Sequence, residues 1–199
     1  MGSGCLRCSL FSRKDPHKFG KRRTNPQEAQ MQIKELFLEE LERETSGSRL
    51  ALERVPEGKN NWKPHEKSMA LGYLAYLVAS MPSWIAMTID QDELDLSPPG
   101  KPRPTPPDWK SRSELAELLE KNVAQAREAL KKTSDDHLMT HWKLLAGGRV
   151  VSDEPRYVVI RDMVFNHLAH HRGQLTVYLR LCNASVPAIY GPSADEGKF

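Results

Sequence analysis

The chain of 199 residues is 39% hydrophobic and 28% charged, which allows a domain with a buried core and excludes a wholly disordered chain. Its net charge of +3 is uneven, because residues 1–23 carry seven Lys and Arg and one Asp, whereas the remainder carries 22 basic and 25 acidic residues. A mildly acidic body has no broad basic face, so nucleic acid is not an expected partner.

Neither a membrane segment nor a disulfide scaffold is expected. The most apolar stretch, residues 74–87, is interrupted by Pro82 and is shorter than the roughly 20 residues that a transmembrane helix needs. Three cysteines cannot form a disulfide framework across the body, and the N-terminus has no apolar run of signal-peptide length. We therefore expect a cytoplasmic protein.

Residues 1–25 are expected to form a disordered basic tail, because they are rich in Gly, Ser, Arg and Lys and show no helical or alternating period. The domain is expected over residues 26–199. Its first helix is predicted to begin with Pro26 in the first turn and to end before Pro56. Apolar side chains recur there at mostly helical spacing, among them Met31, Ile33, Leu36, Phe37 and Leu41.

A second helix is predicted to begin near Ser68, whose hydroxyl can cap it, and to continue through Ile89 with a kink at Pro82. Residues 97–107 contain six of the fourteen prolines and are therefore expected to be an extended connection. Such a long crossover allows the next helix to pack parallel to its predecessor.

A capping box, Ser111 with Glu114, predicts the start of the third helix, which runs to Lys132. The stretch 141–152 then reads as two short strands on either side of Gly147–Gly148, a typical hairpin turn.

The fourth helix is predicted to begin near Asp153, with Glu154 and Pro155 in its first turn, and to end near Asn183. Four amphipathic helices with one long crossover predict an all-α protein. The expected architecture is a four-helix bundle with a small β-hairpin between helices three and four.

Two histidines four residues apart, His167 and His171, are the strongest chemical signal. On a helix their rings lie one turn apart on the same face, so both can bind one transition-metal ion in a bundle core. His170 could replace His171 but lies further around the helix. Gly173, which has no side chain, leaves room for a ligand pocket beside the pair. Surface histidines and histidines hydrogen-bonded within the core can have the same spacing, and these alternatives stay open.

Other candidate ligands are expected to be structural. His137 and His141 repeat the four-residue spacing, but they lie beside the predicted hairpin, which favours a structural role. Cys5 and Cys8 form a lone CxxC pair that lacks two further zinc ligands. Cys182 continues the apolar stripe of the fourth helix and is expected to be buried.

Four segments together resemble the DinB-like family of small helical-bundle proteins, which is related to YfiT-like metal-dependent hydrolases. The resemblance covers residues 28–196, and the segments that carry it are WKPHEKSM (62–69), MPSW (81–84), HLAHHRGQLTVYLR (167–180) and PAIYGPSADE (187–196).

This resemblance implies a bundle with up-down-down-up connectivity and a divalent metal, zinc or nickel, held by three histidines. Two of them correspond to His167 and His171. The third would lie on helix two in a pattern like L-G-x-L-A-x-H, where this chain reads LGYLAYL and has Leu77. Because leucine has no lone pair and two histidines alone rarely hold zinc, the metal is expected to be weakly bound or absent. Candidate substitutes for the missing ligand are His65, His141, Glu35 and Glu39.

The remaining pocket candidates lie near the histidine pair or near Leu77. Arg172 and Gln174 either line the pocket and fix the imidazole tautomers, or pair within the helix or across a dimer. Tyr76 and its neighbour Tyr73 could offer a phenol as ligand or acid, although packing is the commoner role of a helical tyrosine.

Two functions are therefore expected as alternatives. In the first, the chain is a metal-dependent hydrolase or a thiol S-transferase, whose metal binds a small molecule such as a low-molecular-weight thiol at an open position. In the second, it is a non-catalytic, metal-poor bundle that acts as a stress-associated small-molecule-binding or dimeric interaction protein. The resemblance implies a homodimer in either case.

Overall fold

The computed structural model describes residues 31–100 and 108–197, and these residues are mostly helical. The predicted basic tail, the Cys5–Cys8 pair and most of the proline-rich crossover lie outside the described residues. In chain order the helices are α1 (Ile33–Leu52), α2 (Leu71–Ser80), α3 (Ser83–Asp90), α4 (Arg112–Lys132), α5 (Asp135–Leu138), α6 (Arg156–Val159) and α7 (His167–Leu181). A π-helical segment, Ile160–Asn166, joins α6 to α7, and the strands are β1 (Glu93–Asp95), β2 (His141–Ala146) and β3 (Arg149–Pro155).

Helix α1 begins at Ile33, later than the predicted start at Pro26, because Gln32 has an extended backbone. The carboxylate of Asp135, on α5, accepts hydrogen bonds from the backbone N–H groups of Ile33 at 2.8 Å and Lys34 at 3.2 Å. A distant aspartate therefore caps this helix, and local sequence did not reveal it. Leu36, expected in the apolar stripe, is exposed.

The predicted kink at Pro82 is confirmed, since α2 and α3 meet there at an angle of 51°. Helix α2 begins at Leu71 rather than near Ser68, because the N–H groups of Leu71 and Gly72 donate to carbonyls in the preceding loop at residues 60–62. Among the described residues no single helix is long and apolar enough to cross a membrane. Within the part of the chain that the structure describes, one bent pair, α2–α3, reaches that length and composition when the two helices are taken together.

The core lies where α4 packs against α1, α2 and α3, and where α7 packs against α1 and α2. Its fully buried aliphatic side chains come from the predicted apolar stripes, including Leu41, Leu74, Leu119, Val123, Leu168 and Leu175. Ser111 caps α4 as predicted, its Oγ accepting from the N–H of Glu114 at 3.4 Å. The buried face of each long helix was therefore predictable from its period.

The predicted hairpin is confirmed, with Gly147 and Gly148 at φ values of 63° and 77° in the turn. The sheet has a third strand that was not predicted, β1, which pairs parallel with β2. Asp95 fastens β1 to the turn, because its carboxylate accepts from the N–H groups of Ser97, Gly147 and Gly148. These hydrogen bonds, that from Ser97 above all, lower the pKa of Asp95.

The predicted start of the fourth helix at Asp153 is wrong. Asp153 and Glu154 belong to β3, where they pair with Lys143 and Trp142, and the helix begins at Arg156. Cross-strand pairing extends the hairpin past the residues that suggested a first helical turn.

Arg156 ties the sheet to the helices from a fully buried position. Its guanidinium donates to the carbonyl oxygens of Thr88 at 3.0 Å and His141 at 2.6 Å, and to the carboxylate of Asp92 at 2.6 Å. One side chain thus holds the end of α3, the hairpin and the start of α6 together.

We expect Arg156→Met to lower the free energy of unfolding by about 2–3 kcal/mol, because buried carbonyl groups lose their donors. The matched control is Arg161→Met, which removes an exposed ion pair with Glu40 and is expected to cost less than about 1 kcal/mol. Urea unfolding measures both variants. Equal losses would show that Arg156 does not hold these elements together.

Candidate functional site

The structure brings the two predicted metal ligands together. His167 and His171 lie on one face of α7, and their Nε2 atoms are 2.8 Å apart. His171 is buried and His167 is half-buried, while His170 is exposed to solvent although its ring lies 5.0 Å from that of His171. The i, i+4 spacing therefore produces a convergent imidazole pair.

Gln174 holds the buried imidazole in one tautomer. Its Oε1 lies 2.8 Å from Nδ1 of His171, so Nδ1–H donates and Nε2 of His171 keeps its lone pair. Nε2 of His167 then donates its proton to that lone pair. Burial lowers the pKa of His171, the Gln174 hydrogen bond opposes this effect, and the neighbouring imidazoles lower the pKa further. The lowered pKa favours the neutral form of His171.

One aromatic side chain of α3 lies beside the pair. Trp84 of α3 lies with its ring centre 5.8 Å from that of His167. Leu77 and Tyr76, on α2, are half-buried and pack against the core, while Tyr73 is exposed. Since α2 packs directly against α7, the position expected for a third ligand lies on the helix next to the pair, and it carries no donor atom.

The proposed substitute ligands lie elsewhere. His65 accepts a hydrogen bond from the N–H of Lys67, and Glu35 accepts one from the N–H of Gln32 at the start of α1. His141 pairs with Asp153 at 2.8 Å. Across residues 31–100 and 108–197, no three His, Cys, Asp or Glu side chains are grouped so that they could hold one metal ion.

These donors do not fit a metal centre held by three protein ligands. They fit two neighbouring positions of one ion, because two imidazole nitrogens converge and a glutamine fixes the tautomer of one ring. The described part of the chain supplies no third His, Cys, Asp or Glu ligand to this pair, so a further ligand would have to be water or a small molecule.

The second histidine pair has a structural role, as expected. Nε2 of His137 lies 2.9 Å from the carbonyl oxygen of Ile89, at the end of α3. His141 makes the exposed pair with Asp153 across the hairpin. Cys182 is buried, also as expected.

Arg172 does not point toward the histidines. It is fully buried against α1, where it forms an ion pair with the carboxylate of Glu44 at 2.5 Å and donates to the Glu44 carbonyl at 2.8 Å. The hydroxyl of Tyr190 also contacts Arg172 and donates to Glu44 at 2.7 Å. The prediction offered Arg172 a pocket role, a pairing within its own helix or a dimer contact, and the contact with α1 of the same chain is none of these.

Sequence reasoning missed Glu44 and Tyr190. One signal was present, because Glu44 is followed by Thr45, Gly47 and Ser48, small residues that usually mark a close approach of another segment. A side chain at Gly47 would place its Cβ 2.7 Å from Ile189 and 3.2 Å from Arg172. Helix α1 therefore continues through Gly47, and the C-terminal segment packs in the space that a side chain would occupy.

Glu44→Gln is expected to lower the free energy of unfolding by about 3 kcal/mol, because it leaves the Arg172 guanidinium buried without its counter-charge. The control is Glu42→Gln, on the same helix as Glu44. It breaks an exposed ion pair with Arg127 of α4 and is expected to lower the free energy of unfolding by less than about 1 kcal/mol. Thermal and urea unfolding measure both. A change in metal binding by Glu44→Gln at unchanged stability would instead connect Arg172 to the histidine site.

Comparisons with known proteins agree with the resemblance seen in the sequence. The model of the DinB family matches residues 31–198. The uncharacterized protein YrdA of Bacillus subtilis strain 168 is 24% identical over 160 residues, which cover 80% of this chain and 89% of that protein.

Two solved structures share the fold. A DinB-like protein from Bacillus cereus ATCC 10987 superposes with a TM-score of 0.61 at 22% identity, covering 77% of this chain and 95% of that one. The DinB-like protein YjoA from Bacillus subtilis superposes with a TM-score of 0.57 at 16% identity, covering 76% and 96%.

Proposed function

The chain belongs to the DinB family, and on that premise we propose that it binds a divalent metal ion weakly through His167 and His171. The observation that carries the proposal is the convergence of their two Nε2 atoms at 2.8 Å. The proposed ion is zinc or nickel, and the proposed reaction class is hydrolysis or thiol S-transfer on a small-molecule substrate. When bound, the ion would lower the pKa of a coordinated water or thiol.

The chain's own residues prepare the pair for such an ion. Gln174 keeps the proton of His171 on Nδ1, so that its Nε2 lone pair is free. His167 must move its proton from Nε2 to Nδ1 before it can bind the same ion. The lowered pKa of His171 reduces competition from protons for its Nε2.

Weak binding follows from the donor count. Structural and catalytic zinc sites use three or four protein ligands, and here the described residues supply two. The proposal also includes up-down-down-up connectivity, a homodimer and a cytoplasmic location, as the sequence led us to expect.

A second candidate function is that of a stress-associated, metal-poor, non-catalytic protein that binds a small molecule or another copy of the chain. The direct hydrogen bond between the two imidazoles favours it, because that bond satisfies both Nε2 atoms without a metal. Leu77 favours it as well, since an aliphatic residue cannot complete the coordination sphere.

The metal content of purified, tag-free protein separates the two candidates. After growth in medium supplemented with zinc and nickel, we expect a substoichiometric metal content that His167→Ala abolishes. The control His65→Ala changes an exposed histidine on a loop and is expected to keep that content. A wild-type protein free of metal under these conditions would support the second candidate.

Leu77→His tests whether position 77 on α2 is the position of the missing third ligand. A third imidazole on α2 is expected to bring the metal content close to one ion per chain and to raise the melting temperature when zinc is added, because the ion binds only the folded state. Leu77→Ala serves as the control for loss of the leucine side chain. If Leu77→His gains neither metal nor thermal stability in zinc, α2 does not carry the missing ligand position.

A further inference from the structure

A cleft of about 520 Å³ lies between the loop that precedes α2 and the segment that leads into α4. Its lining includes two tryptophans, Trp62 and Trp109, the amide of Asn60, and the lysines Lys59 and Lys110. It shares no lining residue with the imidazole pair. A cleft of this size can hold a small organic molecule.

The loop that forms one wall of the cleft is fixed on the first turn of α2. The carbonyl oxygen of Asn60 accepts from the N–H of Gly72, and that of Trp62 accepts from the N–H of Leu71, both at 2.9 Å. A side chain at Gly72 would place its Cβ 2.9 Å from Cβ of Asn60, so this close approach requires glycine. The wall is therefore in place before any ligand binds.

The two indole groups of the lining are held by their own contacts. Nε1–H of Trp109 donates to the carbonyl oxygen of Gly72 at 2.9 Å. Trp62 packs edge-on against Tyr178, with ring centres 5.6 Å apart. Aromatic groups that are already ordered lose little conformational entropy on binding, and they favour a flat, partly apolar ligand.

Asn60 has an acceptor atom that the described residues leave unsatisfied. Its Nδ2 donates to Oδ1 of Asp108 at 2.8 Å and to the carbonyl oxygen of Trp109 at 2.7 Å, and these two bonds fix the orientation of the amide. Its Oδ1 is buried and accepts no hydrogen bond within the part of the chain that the structure describes. An unpaired buried acceptor costs free energy, so a ligand with an N–H or O–H donor is favoured.

The charge that lines the cleft is positive. Lys59 and Lys110 are its two charged lining side chains, and both are exposed. Of the nearby carboxylates, Glu57 pairs with Arg112, and Asp108 accepts from the Asn60 amide. Two ammonium groups therefore favour a ligand with an acidic group.

We propose that this cleft binds a small planar anion whose ring carries a hydrogen-bond donor. The ring packs on the indoles, its donor meets Oδ1 of Asn60, and its acidic group lies near Lys59 and Lys110. An amino-substituted aromatic carboxylate and a purine nucleotide share this chemistry. The proposal does not depend on metal binding by His167 and His171.

Four probes test the proposal on the ¹⁵N-labelled full chain at pH 7 and constant ionic strength. 4-Aminobenzoate has the ring, the donor and the charge, whereas benzoate lacks the donor and 4-aminobenzamide lacks the charge. Adenosine monophosphate represents the nucleotides. The indole N–H signals of the four tryptophans report where each probe binds, because Trp62 and Trp109 line the cleft and Trp84 and Trp142 do not.

We expect 4-aminobenzoate to shift the signals of Trp62 and Trp109 and to leave those of Trp84 and Trp142 in place. Benzoate and 4-aminobenzamide are each expected to bind at least about threefold more weakly, because each lacks one favourable interaction. Lys59→Gln and Lys110→Gln are expected to weaken 4-aminobenzoate by a similar factor without affecting 4-aminobenzamide. The matched control is Lys63→Gln, which changes an exposed lysine of the same loop outside the lining and is expected to leave binding unchanged.

Tighter binding of adenosine monophosphate than of 4-aminobenzoate would identify a nucleotide as the ligand, and the reverse order would identify an aromatic carboxylate. The proposal is overturned if no probe shifts the signals of Trp62 and Trp109, or if benzoate or 4-aminobenzamide binds as tightly as 4-aminobenzoate. An equal loss of affinity in Lys63→Gln would also overturn it, because the attraction would then be unspecific. A shift of Trp84 alone would place the probe beside His167 instead.

Discussion

The buried ion pair between Arg172 and Glu44 determines which way α7 faces. Successive residues of an α-helix point about 100° apart, so a helix whose Arg172 is held against α1 must present His171 in another direction. The contact between the rings of Trp84 and His167 shows that the imidazole pair lies toward α3. The ion pair and the imidazole pair are therefore two results of a single helix orientation.

Features that depend on local sequence were predictable. The period of the apolar residues identified the long helices. Pro82 indicated the bend between α2 and α3, and Gly147–Gly148 indicated the hairpin turn. The imidazole pair belongs to the same class, because a spacing of four residues on one helix decides it. In each case the interacting groups lie within a few residues of each other, so the sequence pattern contains the geometry.

Features that depend on distant partners were not predictable. Glu44 and Arg172 are 128 positions apart, and Asp135 caps a helix that begins 102 positions earlier. Strand β1 has three residues, too few for an alternating pattern, and it exists because β2 offers an edge. Leu77 was identified only through the family resemblance, since a leucine on an apolar helix is otherwise unremarkable as a core residue.

Membership of the DinB family makes that leucine the most informative residue of the site. The resemblance leads us to expect a third histidine on α2, and this chain has the half-buried Leu77 at that position. Gln174 still holds His171 in the tautomer that a ligand would need.

The π-helical segment Ile160–Asn166 separates two fixed points of the last helical rod, Arg156 at the sheet and Arg172 at α1. Bonding between residues five apart winds the backbone more loosely than an α-helix does. The two ends of the rod consequently need not share one helical phase. Arg156 can therefore hold the chain at the sheet while His167 and His171 stay aligned, because the looser turns between these points absorb the difference in helical phase.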